Sequence, residues 1–117
     1  MIEATCHCGA VRIEVPAAPD VVTSCNCSIC RRLGTMAAYY RPAQVKVHGE
    51  TDTYIWGDRM LYFHRCKVCG CHTHSTPVDV SSDRMSVNAR LMAPEILAAA
   101  RVRRFDGADT WTVLDET

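Results

Sequence analysis

Apolar residues alternate with polar ones along much of the chain, in short runs that end near glycine, proline or aspartate. Val11, Ile13 and Val15 show the pattern most clearly, because a charged residue separates each from the next. Alternation with a period of two is typical of a β-strand with one buried face. The same reasoning predicts short strands over residues 1–6, 10–15, 21–24, 35–40, 45–48, 53–56, 60–65, 84–91, 102–105 and 110–114.

Turn and helix signals divide these strands. An Asp106-Gly107 pair between the last two runs predicts a closing hairpin. Residues 28–33 favour one or two helical turns ended by Gly34, and residues 94–100 favour a short helix that begins at a proline. Because the strands are short and closely spaced, the sequence predicts a mostly β fold of small antiparallel sheets with one or two short helices. We expect residues 1–117 to form a single domain.

Composition and charge limit the function classes. Thirteen basic and thirteen acidic residues cancel, so nothing favours a nucleic acid or an anionic membrane as a partner. No apolar run approaches the roughly 18 residues that a membrane span needs. Residues 1–6 lack the basic and apolar regions of a signal peptide. Eight cysteines without an export signal suit metal binding in a reducing compartment, and we therefore expect a cytoplasmic protein.

Three cysteines lie within six residues, as a C-x-C fused to a C-x-x-C formed by Cys25, Cys27 and Cys30. Three thiols this close cannot all pair with one another, but they can all bind one metal ion. Zinc takes four ligands in structural sites, and commonly three protein ligands and one open position in catalytic sites. The sequence therefore predicts a zinc site whose character depends on whether a fourth ligand is present.

Two further cysteine pairs share a different local pattern, because a glycine follows the second cysteine of each pair. Gly9 and Gly70 allow the backbone to turn tightly and to aim N–H groups at the sulfurs, which stabilises thiolates. The pairs therefore predict matching halves of one closed site on Cys6, Cys8, Cys66 and Cys69. Closing it links residues about 60 apart, and a zinc ion held there would stabilise a small fold.

Several other residues have two interpretations. Cys71, His72 or His74 could supply the fourth ligand of the three-cysteine site, although a buried free cysteine is a common apolar filler and hydrogen-bonded histidines are favoured. Arg31 and Arg32 could attract substrate carboxylates, or they could face solvent. The aromatic residues are expected to pack in the core and across strands: Tyr39, Tyr40, Tyr54, Trp56, Tyr62 and Phe63.

The combined cysteine spacing resembles the glutathione-dependent formaldehyde-activating enzyme family, which also includes centromere protein V. The shared motifs are C-x-C-G, C-x-C-x-x-C and C-x-x-C-G, over nearly the whole chain. The resemblance implies a β-tent fold, a structural zinc on Cys6, Cys8, Cys66 and Cys69, and a catalytic zinc on Cys25, Cys27 and Cys30. It also implies carbon–sulfur lyase chemistry, in which glutathione adds reversibly to formaldehyde. Two residues depart from the family pattern: Asn26 stands where a histidine is frequent, and Cys71 where a small polar residue is common.

Two function classes follow. Zinc on three thiolates is a poor Lewis acid for water but suits a thiol, which the metal would deprotonate. This favours an enzyme that adds a thiol such as glutathione to formaldehyde or a related small electrophile. The alternative is a non-catalytic zinc module that binds protein or nucleic acid. The balanced charge weighs against nucleic acid, and the sequence predicts two zinc ions per chain, one structural and one catalytic.

Overall fold

The computed structural model describes residues 1–116, which form eleven short strands and two short helices. The strands are β1 (Ile2–Thr5), β2 (Arg12–Val15), β3 (Val21–Cys25), β4 (Ala37–Tyr40), β5 (Lys46–His48), β6 (Thr51–Tyr54), β7 (Leu61–Cys66), β8 (His72–Pro77), β9 (Met85–Asn88), β10 (Arg101–Phe105) and β11 (Val113–Glu116). The helices are α1 (Cys30–Leu33) and α2 (Pro94–Ala99), and 3₁₀ turns lie at Pro42–Gln44 and Ala89–Leu91. The predicted mostly β fold with two short helices is confirmed.

The strands form two sheets. A three-stranded sheet has the order β1-β2-β5, and an eight-stranded sheet has the order β11-β10-β3-β4-β9-β8-β7-β6. Neighbouring strands are antiparallel as predicted, except that β10 runs parallel to β3. Parallel neighbours need a long crossover connection, and here most of the chain, ending in α2, lies between them.

The hydrophobic core lies where apolar alternation predicts it. Val11, Ile13 and Val15 are fully buried, and they pack with Val22 of β3 and Val87 of β9. The core side chains are mostly small, and the expectation that the aromatic residues fill the core is wrong for several of them. The exposed ones are Tyr39, Tyr54, Trp56 and Tyr62.

Strand β8 was not predicted, although it lies between β7 and β9 inside the larger sheet. Its sequence, His-Thr-His-Ser-Thr-Pro, lacks apolar alternation, yet its first four residues are all buried. The predicted closing hairpin is confirmed, with Phe105 opposite Val113 and Arg103 opposite Glu116. In the described part of the chain, no helix has the length and apolar character to cross a membrane.

Candidate metal centres

Four cysteines meet where the two sheets approach each other. The four sulfurs lie within 4.8 Å of one another and belong to Cys6, Cys8, Cys66 and Cys69. The first two residues lie in the turn between β1 and β2 of the small sheet, and the other two at the turn between β7 and β8 of the large sheet. The Cys8 sulfur is 3.7 Å from the sulfurs of both Cys6 and Cys66. The grouping predicted from the glycines is therefore present.

The two turns are built alike. The Cys6 N–H donates to the Val11 carbonyl, and the Cys66 N–H donates to the Cys71 carbonyl, five residues on in each case. Gly9 and Gly70 have φ values of +83° and +78°, which only glycine adopts without strain. These turns aim backbone N–H groups at the sulfurs, over donor–sulfur distances between 3.2 and 3.5 Å.

These N–H groups make the cluster suited to thiolates. The backbone N–H of Cys71, followed by that of Cys8, lowers the pKa of Cys69 to about 5. The N–H groups of Cys69 and Val68 also lower the pKa of Cys66, against the effect of burial. A zinc ion binds cysteine as the thiolate, so the donor set and its hydrogen bonds fit a closed four-thiolate zinc site.

The second group joins Cys25, Cys27 and Cys30, whose sulfurs also lie within 4.8 Å of one another. Cys25 ends β3, and Cys30 begins α1, which ends at Gly34 as predicted. All three thiols are half-buried, and the Cys30 N–H donates to the Cys27 sulfur at 3.4 Å. Within residues 1–116, this group of potential metal ligands contains three members and no fourth cysteine, histidine or carboxylate.

The three thiols differ in their pKa values. Burial raises the pKa of Cys25 and of Cys30. Burial acts in the same direction on Cys27, but hydrogen bonds from the backbone and thiol of Cys30 outweigh it and lower the pKa of Cys27. Three neighbouring thiols resist losing all their protons at once, but a bound metal ion stabilises the thiolates and so ionises them readily. Three thiolate ligands leave one coordination position of a tetrahedral zinc for another ligand.

Tyr39 lies on β4 beside the three-thiol group, a position that sequence reasoning did not assign to the site. Burial around its hydroxyl raises its pKa, and the charges of Cys30 and Cys25 act in the same direction, while Arg84 opposes them. A hydrogen bond from buried Thr23 of β3, accepted by the phenol oxygen, acts in the opposite direction and lowers this pKa. The Arg84 guanidinium lies 3.8 Å above the centre of the Tyr39 ring, an attractive cation–π arrangement.

The other candidate ligands lie elsewhere. The rings of His72 and His74 are buried and hydrogen-bonded, at 3.0 Å to the His64 carbonyl and at 2.8 Å to the Thr73 hydroxyl respectively. Because their rings are engaged in these hydrogen bonds, His72 and His74 are structural.

Cys71 lies against Cys69 of the four-thiol cluster, and as described it belongs to neither group of potential ligands.

The two arginines that follow the three-thiol motif are both exposed. The Arg32 guanidinium donates to the Ser28 carbonyl at 2.7 Å and so closes the local turn. The Arg32 side chain is therefore engaged by the protein's own backbone. All eight cysteines are free thiols, which agrees with the prediction of metal binding rather than a disulfide framework.

The fold and the two thiol groups define a class: a small, mostly β protein with two cysteine clusters that could hold metal ions. The family model described as glutathione-dependent formaldehyde-activating enzyme matches residues 1–105, and the chain therefore belongs to this family. The resemblance seen in the cysteine motifs is thereby confirmed.

Two further proteins are similar to this chain. A Halomonas elongata protein, named provisionally as a glutathione-dependent formaldehyde-activating enzyme, is 36% identical over 56 residues. That match covers 47% of this chain and 33% of the relative, so the matched part spans about a third of the relative's length. The crystal structure of a Rhodobacter sphaeroides protein superposes with a TM-score of 0.69 at 33% identity, over 85% of this chain and 97% of the other.

Proposed function

We propose that this protein binds two zinc ions and catalyses the addition of a thiol such as glutathione to formaldehyde or a related small electrophile, the chemistry of a carbon–sulfur lyase. Residues 1–117 would act as one zinc-binding domain. The observation that carries the proposal is the contrast between the two clusters, since one gathers four thiols and the other only three. Membership of the family supplies the thiol and the aldehyde as the substrate class.

The donor sets fit two different roles for zinc. Four thiolates complete the coordination of a structural ion, so we assign that role to Cys6, Cys8, Cys66 and Cys69. Cys25, Cys27 and Cys30 would hold the catalytic ion and leave one position for the substrate sulfur. A zinc ion bound there would supply a deprotonated substrate thiol at neutral pH.

Tyr39 is the proton donor in this proposal. The substrate thiolate attacks the carbonyl carbon, a carbon–sulfur bond forms, and the electron pair of the C=O π bond moves to oxygen. That oxygen takes the proton of the Tyr39 hydroxyl, which then regains a proton from solvent. This hydroxyl is protonated at neutral pH, because burial raises its pKa further above the usual value, and Thr23 contacts the phenol oxygen.

Arg84 is the group that we assign to a substrate carboxylate. It is exposed, it lies above Tyr39, and among the residues that the structure describes it forms no salt bridge to a carboxylate. A guanidinium can bind a carboxylate through two parallel hydrogen bonds. The neighbouring Asp83 and Arg41 instead pair with each other at 2.8 Å. Arg84 is therefore a better candidate than Arg32, which is occupied at the Ser28 carbonyl.

The test follows the exchange of isotopically labelled formaldehyde between its hydrate and its glutathione adduct by exchange NMR. Zinc-loaded protein should raise the exchange rate above the spontaneous one, and Cys27→Ser should abolish the increase. Tyr39→Phe should keep the zinc content and lower the rate by about 100-fold, the usual contribution of one proton donor. Arg84→Ala should weaken glutathione binding but leave the addition of 2-mercaptoethanol, which has no carboxylate, unchanged. An exchange rate equal to the spontaneous one, at full zinc content, would favour the non-catalytic zinc module.

A further inference from the structure

The turn between β10 and β11, residues 106–111, packs directly against the three-thiol group. A Cβ atom added to Gly107 would lie 2.5 Å from the Cys25 sulfur and 3.3 Å from the Cys27 Cβ. The Gly107 backbone also hydrogen-bonds to Cys25, which offsets part of the rise in the Cys25 pKa that burial causes. Only a residue without a side chain allows this approach. The turn therefore forms one wall of the site.

Asn26, which lies between two of the three cysteines, holds this turn in place. Its side-chain N–H donates to the Asp106 carboxylate at 3.0 Å, and its side-chain oxygen accepts from the Ala108 N–H at 3.0 Å. Its backbone N–H donates to the Phe105 carbonyl at 3.2 Å. These bonds join residues about 80 positions apart in the sequence.

The turn has internal contacts of its own. The Asp106 carboxylate accepts from the N–H of Thr110 at 3.1 Å and from its hydroxyl at 2.8 Å. The backbone N–H of Trp111 donates to the Asp106 carbonyl at 2.7 Å. The Trp111 ring packs edge to face on Phe105, with the ring centroids 5.0 Å apart. Asn26 is therefore not needed for the shape of the turn, but it determines where the turn lies.

The turn and Tyr39 belong to opposite sides of β3, the strand that Cys25 ends. In the large sheet β3 is flanked by β10 on one side and by β4 on the other. Cys25 ends β3, the turn follows β10, and Tyr39 belongs to β4. With the β10 side covered by Gly107, the β4 side is the approach that the turn leaves open.

We propose that Asn26 is a positioning residue that fixes residues 106–111 as a wall over Cys25 and so directs ligands to the three-thiol site from the Tyr39 side. Two observations set this feature apart from the family pattern. The family match ends at residue 105, immediately before the turn. Asn26 itself stands where a histidine is frequent in the family that the cysteine motifs resemble. The proposal rests on the proposed function for the identity of the ligands, but not for the contact between Asn26 and the turn.

The test uses Trp56→Phe as the background, because Trp111 is then the single tryptophan. Asn26→Ala should increase acrylamide quenching of Trp111 and should speed alkylation of Cys25 by iodoacetamide about tenfold, as expected for the loss of two hydrogen bonds. Peptide mass spectrometry resolves Cys25 from the other thiols. Asp109→Ala, an exposed change in the same turn, is the matched control and should behave as the background protein does.

A second variant separates positioning from local damage. Gly107→Ala should displace the turn by steric contact and reproduce the faster alkylation. Combined with Asn26→Ala it should add little, because both changes displace the same wall. Unchanged quenching and alkylation in Asn26→Ala, with a melting curve like that of the background, would overturn the proposal, and so would fully additive effects. Neither readout needs catalysis, so inactive protein with these responses would count against the proposed function alone.

Discussion

Acidification should destabilise the folded protein through His74, a buried histidine of β8. The residue is 3% exposed, and its ring stacks on His64 with centroids 4.0 Å apart. Burial lowers the pKa of His74 to about 3, and the nearby charges of His64 and His72 act in the same direction. An unfolded histidine takes up its proton near pH 6.5. Stability is therefore fully present above pH 6.5 and is lost as the pH falls from there toward 3.

The size of the effect follows from these pKa values. Between pH 7.5 and pH 5.5, an unfolded histidine goes from roughly 9% to roughly 91% protonated, while folded His74, with a pKa of about 3, stays neutral. Linkage then gives a loss of about 1.4 kcal/mol in the free energy of unfolding from this residue alone. Burial also lowers the pKa values of His64 and His72, so they add losses of the same sign.

Urea unfolding of zinc-loaded protein at the two pH values measures this loss. Wild type should lose about 1.4 kcal/mol more than His74→Gln over this interval, because protonation of the cysteine ligands affects both proteins alike and cancels in the difference. Met85→Leu, a change at a buried position without a titrating group, should alter stability but keep the wild-type pH dependence. Equal losses in wild type and His74→Gln would refute the assignment of His74 as a buried neutral group.

Further predictions concern the clusters and one turn. Elemental analysis of protein purified without chelator should give two zinc ions per chain, and a single ion would contradict the two-site proposal. Calorimetry should show a much larger drop in melting temperature for Cys69→Ser than for Cys27→Ser, because the loss of Cys69 opens the cluster that joins the two sheets. The reverse order would mean that the structural and catalytic roles of the two clusters are exchanged. Cys71→Ala should leave the zinc content unchanged. Gly49→Ala should cost about 1–3 kcal/mol, since its φ is +102° and a Cβ would collide with a backbone carbonyl. Gly57→Ala, with open space around the added carbon, should cost less in the same urea titration.

Local patterns predicted the parts of the fold that depend on nearest neighbours. The alternation around Ile13 located β2 because one face of that strand is buried in the core. The same pattern did not predict β8, because its buried residues are histidine, threonine and serine, which hydrogen-bond to one another and to β7. A polar strand is buried only when hydrogen-bond partners satisfy its side chains. The partners here lie on β7, 8 and 12 residues away, and apolar alternation carries no signal of polar contacts between strands.

The candidate site also has parts that local sequence predicted and parts that only the fold determines. Gly9 and Gly70 sorted the cysteines into the two groups that the structure brings together, because a left-handed turn is a local requirement. The roles of those groups in metal binding and catalysis remain predictions. The contact of Gly107 with Cys25 could not be predicted, since it depends on the parallel placement of β10 beside β3. The one available signal was Asn26, the departure from the family motif.

The four-thiol cluster has a consequence for how the chain is made. Cys8 and Cys66 are 58 residues apart, so at ordinary translation rates roughly 3–12 s separate their synthesis. Late in that interval Cys6 and Cys8 have left the ribosome, while the turn that completes their site has not been synthesised. Early thiols in this state can be oxidised or can bind metal transiently with the wrong partners. Cells short of zinc or under oxidative stress should therefore lose newly made protein first, while molecules already folded persist.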